Sequence, residues 1–216
     1  MKKTIIFDMD GLMFNSEPLW AQAFIKATKK VGYNVSVEIQ KKTIGSNGKT
    51  FEKIMKENVD PNFPTEKFNE IYFKTMIELI NEKGVEKKKG LDELINYLIK
   101  NKYKIAIASS SRTDIIEANL NKANINKNIF SAIISGNDLK DSKPNPEIFI
   151  KTCKKLNENP NNTIVLEDSN NGIIAAYKAG CIPILIPDTD KIKKETLNMA
   201  KYKFKNLIEV IELLET

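Results

Sequence analysis

Two acids separated by one residue, Asp8 and Asp10, follow the apolar run Thr4-Ile5-Ile6-Phe7 and are closed by Gly11. Carboxylates cannot lie along a strand buried on both faces without a large desolvation cost, so this pair belongs at the strand's carboxyl end, where loops open. An acid pair there suits a cation. Side chains alternate along an extended backbone, so Asp8 and Asp10 are expected to project the same way, and Gly11 lets the chain turn beneath whatever they hold. Later stretches repeat the arrangement. Ser109-Ser110-Ser111 follows Ile105-Ala106-Ile107-Ala108, and Glu167-Asp168 follows Thr163-Ile164-Val165-Leu166. Lys143 lies in Asp141-Ser142-Lys143-Pro144-Asn145-Pro146, where two prolines keep the loop out of helix. Four carboxylates, a hydroxyl and a lysine brought together can move a phosphoryl group. Asp8 and Asp168 would hold Mg²⁺ with the help of a backbone carbonyl, while Ser109, the amides around it and Lys143 bind the phosphate oxygens. Asp8 would attack phosphorus, and Asp10 would protonate the leaving oxygen and later deprotonate water.

Such a convergence requires strands that end side by side. From Leu91 onward the chain alternates helix and strand: apolar helical positions at Leu94, Ile95 and Leu98, the strand at 105–108, a helix through Ile115, Ile116 and Leu120, and the strand Ala132-Ile133-Ile134. Helices around Ile148, Phe149 and Leu156, and around Ile173 and Ala176, alternate with the strand at 163–166 and with Ile182-Pro183-Ile184-Leu185-Ile186, the last clear strand. This pattern predicts an α/β fold, an open parallel sheet with helices on both faces. From Asn15 to Lys83 the periodicity is helical with no convincing strand between the runs, and Gly84 with Lys87-Lys88-Lys89-Gly90 marks the return linker. Ser16-Glu17-Pro18 opens a helix with Leu19, Trp20, Ala23, Phe24 and Ala27 on one face; later runs carry Phe51, Ile54 and Met55, then Phe68, Ile71, Tyr72, Met76, Leu79 and Ile80. Residues 15–83 therefore read as a small helical unit inserted into an α/β core of residues 1–14 and 84–216.

Composition removes several classes of function. The chain has no histidine, which excludes Ser-His-Asp triads, histidine-ligated zinc and an imidazole base. Cys153 and Cys181 match no metal spacing and read as buried thiols. A net charge of +6 raises the question of nucleic acid, but the lysines are scattered in pairs among glutamates and Arg112 is the only arginine. Base and phosphate readout leans on arginine, so the positive field is better suited to small anions, and no nucleic-acid partner is expected. No apolar run is long enough to span a bilayer, and Asp8 interrupts the amino-terminal apolar stretch before a signal core forms. The expectation is a cytoplasmic protein with no membrane partner, acting as a monomer on a small phosphorylated metabolite.

The order Phe7-Asp8-Met9-Asp10-Gly11, Ser109, Lys143-Pro144, Glu167-Asp168 resembles the haloacid dehalogenase-like superfamily over nearly the whole chain. The resemblance implies a Rossmann-like core and a Mg²⁺ cofactor. It makes Asp8 nucleophile and metal ligand, and Asp10 acid/base and donor of a backbone carbonyl to the metal. It also assigns Ser109, Ser110 and Lys143 to phosphate, and Asp168 with Glu167 to the metal site. The helical insertion resembles the small cap of the β-phosphoglucomutase-like branch, closing over the substrate. The stretch from Gly11 to Trp20 is similar to small sugar-phosphate phosphatases, so the implied activity is a phosphatase working through an aspartyl phosphate. Glu17, Trp20, Lys49 and Arg112 are the candidate substrate-facing residues. The alternative is a phosphomutase, whose branch carries a cap histidine where this chain has Trp20 and an arginine in the loop from Gly45 to Thr50, where it has Lys49. Asn15 also replaces an acid usual at its place in the family.

Plainer readings stand beside these. Gly48-Lys49-Thr50 mimics the end of a phosphate-binding P-loop, but Thr43 occupies the place of the required glycine. Trp20, Phe24 and Phe51 also suit a hydrophobic core, and Ser109 and Asp168 also suit helix caps. Receiver domains share an acid pair, a hydroxyl residue and Lys-Pro, yet they phosphorylate a lone aspartate on a middle strand, which this chain lacks between Gly90 and Ser131.

Overall fold

The computed structural model describes residues 4–43, 48–188 and 191–215. Its elements, in chain order, begin with β1 (Thr4–Phe7), β2 (Phe14–Asn15), α1 (Glu17–Lys30), α2 (Val37–Thr43), α3 (Gly48–Asn58), α4 (Thr65–Lys83) and β3 (Glu86–Lys87). There follow α5 (Leu91–Lys100), β4 (Lys104–Ala108), α6 (Thr113–Lys122), β5 (Ala132–Ile134), α7 (Glu147–Leu156), β6 (Thr163–Glu167) and α8 (Asn170–Lys178). The last are β7 (Ile182–Leu185), α9 (Lys194–Met199), β8 (Tyr202–Lys203) and α10 (Ile208–Glu215). The chain divides into two compact units, Met1–Ser16 with Val85–Thr216, and Glu17–Gly84.

The first unit is built on a six-stranded parallel sheet in the order β5-β4-β1-β6-β7-β8. Side chains of both parities are buried, Ile6, Ala106 and Val165 on one face and Ile5, Ile107 and Leu166 on the other, so helices cover both sides as the alternation predicts. On the first face Ile148, Phe149 and Cys153 of α7 and Ala175 and Ala176 of α8 pack against Ile6, Ala106 and Val165. Cys153 and Cys181 are buried free thiols with their sulfurs 3.8 Å apart.

Register aligns the functional ends. Phe7 lies opposite Ile107 on one side and Leu166 on the other, so β1, β4 and β6 finish level, and the Asp8 amide donates to the Leu166 carbonyl at 3.0 Å. The chain steps outward from β1 through β4 to β5, then restarts at β6 and steps the opposite way to β8. β1 and β6 therefore flank the switch point, where an open α/β sheet leaves a crevice beyond its strand ends.

The second unit is helical. Leu19, Ala23, Phe24 and Ala27 of α1 are buried, and Phe24 joins Ala27, Phe51, Met55, Phe63 and Phe68 in one cluster. Phe68 organises it, stacked on Phe51 at 5.2 Å between centroids and edge-on to Phe24 at 5.5 Å. No helix among the described residues is long and apolar enough to cross a membrane.

Candidate active site

Lys143 is the ionic centre of the first unit's crevice. Its ammonium donates to Asp8 Oδ1 and to Glu167 Oε1, both at 2.5 Å, and to the Ala108 carbonyl at 3.3 Å, and it lies 5.1 Å from the centre of the Phe149 ring. Three strand ends and a loop thus meet on one atom. The group is almost dry, with side-chain exposure of 7% for Lys143, 9% for Asp8 and 0% for Glu167. Burial opposes the lysine's charge, but the two carboxylates outweigh it and hold the pKa above its usual value. Burial drives Asp8 the other way from an ordinary acid, up to about 8, with Lys143 pulling it down and Glu167 adding to the rise. Asp168 is likewise held well above the carboxylate range by burial and by Glu167 and Asp8.

The loop that delivers Lys143 is closed by a residue the motif did not single out. Glu147, the first residue of α7, accepts the Lys140 amide at 3.0 Å and the Asp141 amide at 2.9 Å, while Asn145 Oδ1 accepts the Glu147 amide at 3.0 Å. A hydrogen bond from Lys151 and these amides keep its carboxyl at about 2. The acid therefore stays ionised and the loop stays tied at any neutral pH.

Asp10 is held separately. Its two oxygens accept Ser16 Oγ at 2.5 Å and Ser111 Oγ at 2.7 Å, which orients the carboxylate. Neither serine stands out for this role in the sequence, because one reads as a helix start and the other as the tail of a serine run. Ser109 is buried at the end of β4, and its hydroxyl accepts the Ser111 amide at 3.1 Å. Ser110 is exposed. The capping alternative fails for Asp168, since Ser169 caps α8 and accepts the Gly172 amide at 3.1 Å, and α6 is capped at Arg112, not Ser109.

Oxygens of Asp8, Glu167 and Asp168 lie within 4.8 Å of one another. Glu167 is nevertheless committed: besides Lys143 it accepts the Asp168 and Ser169 amides and the Ser169 hydroxyl at 3.0, 3.1 and 3.0 Å. Asp8 and Asp168 are the pair with capacity for an ion. Three carboxylates facing one ammonium leave surplus negative charge in a buried pocket, and an all-oxygen donor set matches Mg²⁺ in hardness, so the residues fit that ion. Gly11 belongs to the same wall. Its φ is +82°, and a Cβ there would collide with Asp168 Oδ2, so the glycine is needed for both its turn and the close approach.

Gly172 plays a similar part behind Glu167. It lies in the first turn of α8, and a Cβ would overlap the Glu167 carboxylate. Gly172→Ala is expected to cost about 1–3 kcal/mol through overpacking and to displace the acid that anchors Lys143. A thermal midpoint and kcat equal to those of the unaltered chain would contradict this.

Of the remaining candidates, Arg112 forms a forked pair with Asp114 at 3.1 and 2.7 Å. Glu17, Trp20 and Lys49 belong to the second unit: Glu17 opens α1, Trp20 packs on Tyr72 and Phe73 at 5.2 and 6.4 Å, and Lys49 is exposed at the start of α3. Positions 44–47, and with them Gly45 of the cap loop, lie outside the described residues.

The family profile of haloacid dehalogenase-like hydrolases matches residues 5–186. A protein of Thermotoga maritima named phosphorylated carbohydrates phosphatase is 25% identical over 178 residues, covering 82% of each chain. The fold superposes on CbbY of Rhodobacter sphaeroides, solved in complex with phosphate, with a TM-score of 0.87 over 97% of this chain and 96% of that one, at 22% identity. It also superposes on a β-phosphoglucomutase of Clostridium difficile with a TM-score of 0.81 over 100% and 96% of the two chains, at 25% identity.

Proposed function

Because the chain belongs to the haloacid dehalogenase-like hydrolase family, we propose that it is a Mg²⁺-dependent phosphatase of small phosphorylated metabolites, with sugar phosphates the preferred class. The class of reaction is phosphoric monoester hydrolysis. The observation that carries this reading is the meeting of Asp8, Glu167 and Asp168 around Lys143 at the switch point, with Asp10 held nearby by two hydroxyls.

Asp8, Asp168 and the Asp10 main-chain carbonyl are the residues that would hold the ion. When bound, Mg²⁺ supplies Lewis-acid neutralisation of the phosphoryl oxygens and offsets the repulsion between Asp8 and Asp168. The rest falls to the chain's own side chains. Lys143 pairs with Asp8, draws its raised pKa downward and aims the carboxylate, and presents its charge to the equatorial oxygens of the phosphoryl group. The Ser109 hydroxyl accepts a backbone amide, so its proton is available to a phosphate oxygen. An Asp8 oxygen forms a bond to phosphorus as the ester oxygen leaves, taking a proton from Asp10. Water then attacks phosphorus and gives its proton to Asp10, and the bond to Asp8 breaks to release inorganic phosphate. Glu167 acts through Lys143, as its anchor.

The second unit serves as a cap in this reading, with Glu17, Trp20 and Lys49 as its substrate-facing candidates and Arg112 as the core's. This is supported by its separate aromatic cluster and by its insertion between β2 and β3. The competing reading is a phosphomutase, favoured by the similarity to the Clostridium enzyme and opposed by the absence of any histidine. With β-glucose 1-phosphate and Mg²⁺, the expected product is inorganic phosphate; accumulation of the 6-phosphate isomer would establish the mutase instead.

A further inference from the structure

One buried carboxylate next to this site has no assigned task. Asp188 follows β7, and its side chain is only 11% exposed. Oδ1 accepts the Lys88 ammonium at 2.5 Å, whereas Oδ2 is buried without any hydrogen-bond partner among the described residues. An ordinary surface ion pair would leave the second oxygen in water. Gly11 reveals what the orphan oxygen faces. A Cβ at Gly11 would strike Asp168 Oδ2 and come within 3.3 Å of Asp188 Oδ2, so the two acids converge on one glycine of the catalytic loop. Facing carboxylate oxygens repel unless a cation or a hydrogen-bond donor stands between them. Lys88 neutralises only the outer oxygen.

Resting on the metal reading above, we propose that Asp188 is a positioning residue that accepts a hydrogen bond from a water of the divalent ion held by Asp8 and Asp168. Lys88 fixes the carboxylate from behind. That lysine follows β3 directly, and its amide donates to the Met13 carbonyl at 2.9 Å, so the ribbon of β2 and β3 ties it to the loop after Asp10. Magnesium keeps several of its waters, and loss of an outer-shell hydrogen-bond partner typically lowers metal affinity by about 10–100-fold.

The test is the Mg²⁺ dependence of the thermal midpoint, which needs no substrate. Asp188→Asn keeps the shape and removes the charge. It is expected to require about tenfold more Mg²⁺ for the half-maximal shift, while the metal-free chain, relieved of one buried acid, melts no lower than wild type. Those opposite responses separate positioning from a merely structural role. Glu158→Gln removes an equal charge from the Lys104 pair at the far end of β4 and is expected to leave the titration unchanged. Coincident Asp188→Asn and wild-type titrations, an equal loss in Glu158→Gln, or a metal-free Asp188→Asn chain that melts lower or without cooperativity would each overturn the assignment. A wild-type chain whose midpoint ignores Mg²⁺ would overturn both this inference and the metal reading beneath it.

Discussion

Asp8→Asn is expected to lower kcat by at least about 10⁴-fold with any phosphorylated metabolite and any divalent ion, because it removes the atom that bonds to phosphorus. The same substitution should leave the fold intact. Asp8 is a buried acid whose charge is disfavoured by desolvation, with its pKa pushed to about 8, and Lys143 retains Glu167 as partner when it is neutralised. The diagnostic result is thus an inactive chain whose thermal midpoint equals or exceeds that of wild type. Activity within tenfold of wild type would remove Asp8 from the chemistry. A collapse of the fold would make it a structural acid.

Lys143→Met has the opposite signature, losing both activity and stability. The lysine pairs with both Asp8 and Glu167, and the Glu167 side chain has no exposure at all. Removing one member of a buried ionic group leaves the others uncompensated, at a cost of about 3–5 kcal/mol. kcat should fall by about 10³-fold, since the phosphoryl oxygens lose a charge that strengthens as they develop their own. The two positions should also be coupled: adding Asp8→Asn to Lys143→Met removes one of the stranded acids and should restore part of the lost stability. Chemical denaturation of the two single variants and the double variant measures this coupling. Strict additivity would show that the ion pair is not the source of the loss.

Much of this was legible because chemistry and topology leave a shared trace in the chain. A strand buried on both faces must be apolar to its end, so Asp8, Ser109 and Glu167 mark where β1, β4 and β6 stop, and the level register of those strands brings them together. Helical periodicity likewise marks α1, α3 and α4, whose buried faces carry most of the residues expected of them, with Ile54, Ile71 and Tyr72 half-buried. The short elements left no such trace. β2, β3 and β8 have two residues each, too few for alternation to register, so the run Ile182-Pro183-Ile184-Leu185-Ile186 reads as the last clear strand although β8 extends the sheet beyond it. Residues that act through others were also hidden. Ser16, Ser111, Glu147 and Gly172 owe their importance to what they touch across loops, and nothing in their local sequence separates them from a helix start, a serine run, a helix-opening acid or a helical glycine. Trp20 stands between: its spacing puts it on the helix face, and it is half-buried against Tyr72 and Phe73.

Trapping the phosphorylated residue addresses the central claim most directly. Asp10→Asn with p-nitrophenyl phosphate should accumulate it, since nitrophenolate leaves without a proton but the attacking water still needs a base. Quenching that mixture and treating it with borohydride reduces an acyl phosphate to the alcohol, which peptide mass spectrometry locates. The expected result is one nitrophenolate released per chain in a burst, with homoserine at position 8 and nowhere else. Phosphate release with residue 8 unmodified, or modification at another acid, would contradict the mechanism at its first step.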